Sequence, residues 1–265
     1  MQLLIVQIKN EKYAFKVDNI VEIINRTALT DVPESESYLE GILHHRSEVL
    51  PILNFRTILG EKSYKNEQIA LLDSVINQHH EWINSFKHSV ETGEPFNKAL
   101  DPHMCNLGKW IDQMLSCLKC NNEGFVNLIK ETLLQEHNSL HLDGKKILEL
   151  SNKEEQLHLT NTKITAHYKA VVAELERLKK ELDKLIFSYE RVIIYKYKEE
   201  KFGLVIDLFD KIIDIDENDL QHINSGSLIT NDTITFDSVI HYENTVIMVV
   251  DFKDAILEAT IPTEV

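Results

Sequence analysis

His79-His80-Glu81-Trp82, Cys105-Asn106-Leu107-Gly108-Lys109-Trp110 and His137-Asn138-Ser139-Leu140-His141 all lie in one stretch running from His79 to His141, and that stretch decides the fold. At a helical period, Ile69, Leu72, Ile76, His79, Ile83, Phe86 and Val90 recur every three or four residues, which places His79 on the buried stripe of an amphipathic helix. Val126, Ile129, Leu133, His137 and His141 form a second such stripe. Residues i and i+4 are neighbours on a helix surface, so His137 and His141 can present both rings to one point between packed helices. A lone core histidine is ordinarily a hydrogen-bonded packing residue. Three of them on apolar stripes ask for a shared partner. Imidazole and thiolate are good zinc ligands, and His79, Cys105, His137 and His141 would complete a closed tetrahedral site.

Working outward, the helical period predicts four helices. The first should end near Thr92-Gly93, where glycine suits the C-terminal cap and Pro95 prevents continuation. Asp101-Pro102 offers a capping carboxylate and a first-turn proline to the second. Asn121 to Gly124 should turn the chain into the third. Ser151 and Glu154 read as a capping-box pair opening the fourth, whose stripe is Leu157, Ile164, Tyr168, Val171, Leu175, Leu178, Leu182 and Leu185. So long a stripe suits a homodimer.

On either side the period falls to two. Leu3 to Lys9 and Tyr13 to Val17 flank the turn Asn10-Glu11-Lys12 as a hairpin. Asp18 caps a short segment, Ile20 to Ile24, and a second strand pair is expected at Ile42 to His45 and Val49 to Asn54. Val192 to Asp207 repeats the first hairpin without a gap, with Lys201 standing against Lys12 and Asp207 against Asp18. Val246 to Lys253 repeats Val49 to Arg56. Register kept across a whole hairpin marks an internal repeat. The expected fold class is α+β, with a β subdomain at residues 1–65, a four-helix bundle at 66–188 and a second β subdomain at 189–265.

The formal net charge of -15 over 265 residues gives no basic footprint for a phosphate backbone, which argues against nucleic acid as a partner. No apolar run approaches the ~20 residues of a membrane span, and no secretory leader opens the chain, so a cytoplasmic location without membrane insertion is expected. Three cysteines point to thiols or metal ligation before a disulfide framework. Cys117-Leu118-Lys119-Cys120 has neither a second pair nor a βαβ setting, and reads as structural or incidental. His103 is a second-choice ligand, and Trp82 and Trp110 are expected to wall the site from water.

The order H-x2-W, C-x-L-G-x-W, H-x3-H over residues 66 to 188 resembles the chemoreceptor zinc-binding domain, a cytoplasmic four-helix bundle whose family site is three histidines and one cysteine. That resemblance implies zinc on His79, Cys105, His137 and His141. Gly41-Ile42-Leu43-His44-His45-Arg46, followed by Val49-Leu50-Pro51-Ile52-Leu53-Asn54-Phe55-Arg56, resembles the CheW-like coupling domain, with its G-V-I-N-L-R-G turn and P-V-I-D-L-R strand. His44-His45 stands where that family has Asn-Leu, and Ser47 where it has glycine. The resemblance covers residues 1 to about 65 and about 189 to 258 and implies two SH3-like barrels interrupted by the bundle. Together the two imply a non-enzymatic chemotaxis adaptor coupling chemoreceptors to a histidine kinase, with Arg46 in the partner-binding turn. Cys105 would be the redox-sensitive residue of a zinc site that senses zinc itself or an oxidant such as hypochlorous acid. The alternatives are a purely structural zinc and a hemerythrin-like di-iron bundle that binds oxygen; carboxylate ligands would favour the latter and a thiolate the former.

Overall fold

Apolar residues spaced by two at both ends of the chain, and by three or four between them, fold into two separate units. The computed structural model describes residues 1–33, 35–116, 126–127, 129–223 and 232–258. One unit is formed by the chain up to Tyr64 together with the chain from Tyr189 onward, and the other by Lys65–Ser188.

The β unit contains β1 (Gln2–Ile8), β2 (Glu11–Lys16), β3 (Ile20–Asn25), β4 (Leu39–His45), β5 (Glu48–Asn54) and the short helix α1 (Phe55–Ile58). From the second segment come β6 (Arg191–Tyr197), β7 (Glu200–Ile206), β8 (Leu208–Asp214), β9 (Gln221–His222), β10 (Ile234–Tyr242) and β11 (Thr245–Phe252). The internal repeat is visible in the turns: Lys9 and Lys198 take φ of 54° and 55°, and Arg46 and Glu243 take 56° and 46°.

The strands do not divide between the sheets at the insertion, as one β subdomain per segment would require. The six-stranded sheet runs β8-β1-β2-β11-β10-β9 and the five-stranded sheet β3-β6-β7-β5-β4. Each is a hairpin of one segment flanked by strands of the other, joined by the parallel pairs β2–β11 and β5–β7. The cause lies in strands that are apolar on both faces. In β1, Leu3 and Ile5 enter one core with Ile213, Ile240 and Val249, while Leu4 and Val6 enter another with Phe15, Ile193, Tyr195 and Phe202. A hairpin that is apolar on both sides stays wet on one of them unless strands from elsewhere cover it, and at about 25 cal/mol per Å² that exposure decides the pairing. Gly41 is fixed by the same packing: its φ is +143°, and a Cβ there would stand 2.5 Å from the Thr30 carbonyl.

The helical unit is carried by α2 (Tyr64–Thr92), α3 (Asn106–Ser116), α4 (Leu134–Leu148), α5 (Lys153–Leu159), α6 (Thr165–Lys180) and α7 (Leu182–Tyr189), with π-helical turns at Ile129–Leu133 and Thr160–Ile164. α2 ends where expected, at Gly93 with φ +84°. Asp101 caps only a 3-10 turn, Pro102–Met104, because Cys105 is extended (φ -81°, ψ 161°) and delays the helix to Asn106. The cap of α5 is Asn152, which accepts from the N–H groups of Glu154 and Glu155, in place of Ser151. Ile164, Val171, Leu175, Leu178, Leu182 and Leu185 are all buried within the single chain. That stripe is therefore packing surface of this unit. The Cys117–Cys120 pair and the Asn121–Gly124 turn lie outside the described residues. Among the described residues no helix is long and apolar enough to cross a membrane.

Candidate metal centre

His79 occupies the inward face of α2, and His137 and His141 sit one turn apart on α4. Cys105 is the extended residue between the 3-10 turn and α3. The helix period and that one break bring all four together: one donor atom from each lies within 4.8 Å of the others. The three rings meet edge to face, with centroids 5.3 Å (His79–His137), 5.9 Å (His79–His141) and 4.7 Å (His137–His141) apart. The Cys105 Sγ lies 3.1 Å from His137 Nε2.

Hydrogen bonding sets the tautomers. A carbonyl can only accept, so the 2.7 Å contact of His79 Nδ1 with Val75 O and the 3.0 Å contact of His141 Nδ1 with Ala99 O put the proton on Nδ1 in both rings. Nε2 then carries the free lone pair, and both Nε2 atoms are buried without a hydrogen-bond partner. Orphaned acceptors of that kind are costly in a protein interior. A metal ion at the common point would satisfy them, and the outward Nδ1–H···O=C bond is the usual support of a ligating histidine. Metal–ligand bonds of roughly 2.0–2.3 Å imply ligand separations of about 3.3–3.8 Å in a tetrahedron, so no pair of donors need change its separation by more than about 1.5 Å. Among the described residues no carboxylate belongs to the group.

The electrostatics agree. Burial, with His141 and His79 adding to it, pushes His137 down to about 2; burial, helped by His79, pushes His141 down to about 4, and His79 is lowered by burial as well. All three rings are neutral at pH 7, as ligands must be. Burial pushes the Cys105 thiol up, against the backbone N–H groups of Gly108 and Leu107.

Several surrounding groups were not legible in the sequence. The Ala99 carbonyl accepts from Trp82 Nε1 (2.8 Å) as well as from His141. Gly108 presses so closely on the Pro102 carbonyl that a Cβ there would lie 1.8 Å from its oxygen, and its N–H points at Cys105 Sγ at 3.3 Å. His167 bridges Glu136 (2.7 Å) and Asp143 (3.3 Å), which flank the two α4 histidines. Trp82 does wall the site, edge-on to His141 at 5.2 Å, whereas the indole N–H of Trp110 is turned to Gln68. His103 stands outside the cluster, exposed and paired with Asp112 at 2.9 Å. In the β unit, Arg46 occupies the turn between β4 and β5, three-quarters exposed and paired with Glu22 at 3.0 Å.

Interlaced sheets split by a helical insertion that gathers three imidazoles and a thiol define the class of this protein: a β-sheet unit joined to a helical one whose side chains could hold a metal ion. Residues 2–78 match the CheW-like domain family. A chemotaxis protein CheW of Thermotoga maritima is 36% identical over 59 residues, 22% of this chain and 39% of its own. A chemotaxis protein CheW of Helicobacter pylori is 34% identical over 61 residues, 23% of this chain and 37% of its own. The chain thus spans about two fifths of the length of these curated relatives. Among solved structures, the scaffolding protein TtCheW of Thermoanaerobacter tengcongensis aligns with a TM-score of 0.44 at 11% identity, over 94% of this chain and 88% of that one.

Proposed function

We propose that this chain is a non-enzymatic chemotaxis adaptor: its CheW-like β unit couples chemoreceptors to a histidine kinase, and its helical insertion is a four-helix zinc-binding domain that senses an oxidant. The relatives' printed names support a chemotaxis role, and the match of residues 2–78 to the CheW-like domain family supports the coupling one. The observation that carries the sensing half is the convergence of His79, Cys105, His137 and His141 with two buried, unpartnered Nε2 atoms. A donor set of three imidazoles and one thiolate, without a carboxylate, favours zinc over a di-iron pair. Four protein donors leave no position for a reactive water, which supports a site that signals and does not catalyse.

Cys105 is the reactive member. Held as thiolate beside a metal, it is the form that oxidants attack; with hypochlorous acid the sulfur takes up the oxygen and chloride leaves, giving a sulfenic acid. That product is a poor ligand, so the site weakens. Treating the full chain with hypochlorous acid, while following zinc release and binding to receptor–kinase arrays, tests this. Release of about one zinc together with altered array binding is expected. Release with unaltered binding would leave zinc a structural role only, and a Cys105→Asp protein responding like wild type would overturn the redox assignment.

A further inference from the structure

The chain leaves the β unit at Tyr64 and returns to it at Tyr189. These two rings stack, with centroids 4.3 Å apart and planes 17° apart. The Arg56 guanidinium lies over the Tyr64 ring, 5.2 Å from its centroid. Arg56 also grips Asp207 with two bonds, Nε to Oδ1 at 2.6 Å and NH2 to Oδ2 at 2.5 Å, and both side chains are buried. Asp207 is the single residue between β7 of one sheet and β8 of the other. The return point is wired in as well. Glu190, next to Tyr189, pairs with Arg26 at 3.1 Å. Arg26 pairs with Glu40, and Glu40 accepts from Asn54, whose side-chain oxygen caps α1 at Thr57 N. α1 carries Arg56, so the network closes on itself. Three carboxylates face two guanidiniums here, and buried charges depend on keeping their partners in place. Burial, with Glu40 and Asp207 adding to it against Arg26, pushes Glu190 up to about 8.

We propose that the Tyr64–Tyr189 stack is the transmission element of this protein, a clasp that converts a disturbance of the insertion's two ends into a loosening of Arg56–Asp207 at the strand crossover. The proposal rests on reading the helical unit as a sensor. α2 is one continuous helix from Tyr64 past His79, about four turns on, so what disturbs His79 reaches Tyr64 through helix backbone. When the rings part, the aromatic face beneath Arg56 shifts, and the two-bond geometry to Asp207 loses one of its supports.

Amide hydrogen exchange on the full chain tests the clasp, with two disturbances of the helical unit: removal of zinc by a chelator, and Leu178→Ala, which opens a cavity at a buried residue far along the chain from every ligand. In the wild-type background either one should raise exchange several-fold at Phe55–Ile58 and beside Asp207. In Tyr64→Leu/Tyr189→Leu the helical amides should keep their response and the β amides should lose it, whereas Tyr64→Phe/Tyr189→Phe, which keeps both rings, should behave as wild type. If the double leucine variant does not fold, Tyr189→Leu alone carries the same expectation. A β unit indifferent to both disturbances, or a response that survives removal of the rings, would overturn the clasp. Indifference to the chelator together with a transmitted Leu178→Ala response would instead overturn the metal reading and leave the clasp standing.

Discussion

Gly108→Ala should cripple the metal site without touching a ligand. The methyl group would be placed 1.8 Å from the Pro102 oxygen, 2.8 Å from its carbonyl carbon and 3.1 Å from His103 Cα. All three are backbone atoms, and an ordinary contact needs about 3.4 Å or more, so the 3-10 turn or α3 must move by roughly 1.5 Å. Either movement shifts Cys105, which is anchored on one side by Gly108 N–H and on the other by Pro102 O, each at 3.3 Å from its sulfur. Overpacking of this kind costs about 1–3 kcal/mol, and loss of outer support commonly lowers metal affinity about 10–100-fold. Competition with a zinc chelator of known affinity measures the binding loss, and thermal unfolding of the metal-free protein measures the packing cost. Gly144→Ala makes the comparison: its Cβ would meet side chains in place of backbone, the Trp82 ring edge at 2.9 Å and Phe86 at 3.3 Å, so it should cost less than Gly108→Ala. A Gly108→Ala protein that binds zinc as tightly as wild type and melts at the same temperature would refute the positioning argument.

Two further expectations concern protons. With the three histidines neutral and the Cys105 thiol protonated in the metal-free protein, zinc binding at pH 7 should release about one proton; calorimetry in buffers of different ionisation enthalpy counts it, and two or more would mean that an imidazole must also discharge. Glu190 bears on stability: a carboxyl pushed from 4.5 up to about 8 contributes stability in full below about 4.5 and loses it as pH rises through 8. Glu190→Gln should therefore gain on wild type by about 2–4 kcal/mol between pH 5 and 9, and parallel urea-melt profiles for the two proteins would contradict this.

What was legible in the sequence was local. His79, His137 and His141 could be assigned to one point because the helix period fixes which residues share a face, and Gly93 could be placed as a terminator because glycine alone adopts its φ cheaply. The hairpin repeat was legible for the same reason, and the matched turn angles of Lys9 and Lys198 bear it out. Pairing at long range was not. β3 joins β6, and β8 joins β1, across more than half the chain, and period two shows that a strand has two apolar faces without showing which strands cover them. The Ala99 and Val75 carbonyls escaped notice because backbone acceptors leave no mark on a sequence, although they fix the tautomers of His141 and His79. Ser151 looked a better cap than Asn152 only because Glu154 completes a box with it; the chain instead turns one residue later, where Asn serves equally well.

The central claim is that His79, Cys105, His137 and His141 hold one zinc. Elemental analysis of the purified protein, beside Cys105→Ala and His141→Ala, tests it most directly. One zinc per chain is expected in the wild-type protein, with a large loss in either variant. Iron in place of zinc, or zinc content unchanged by His141→Ala, would contradict it.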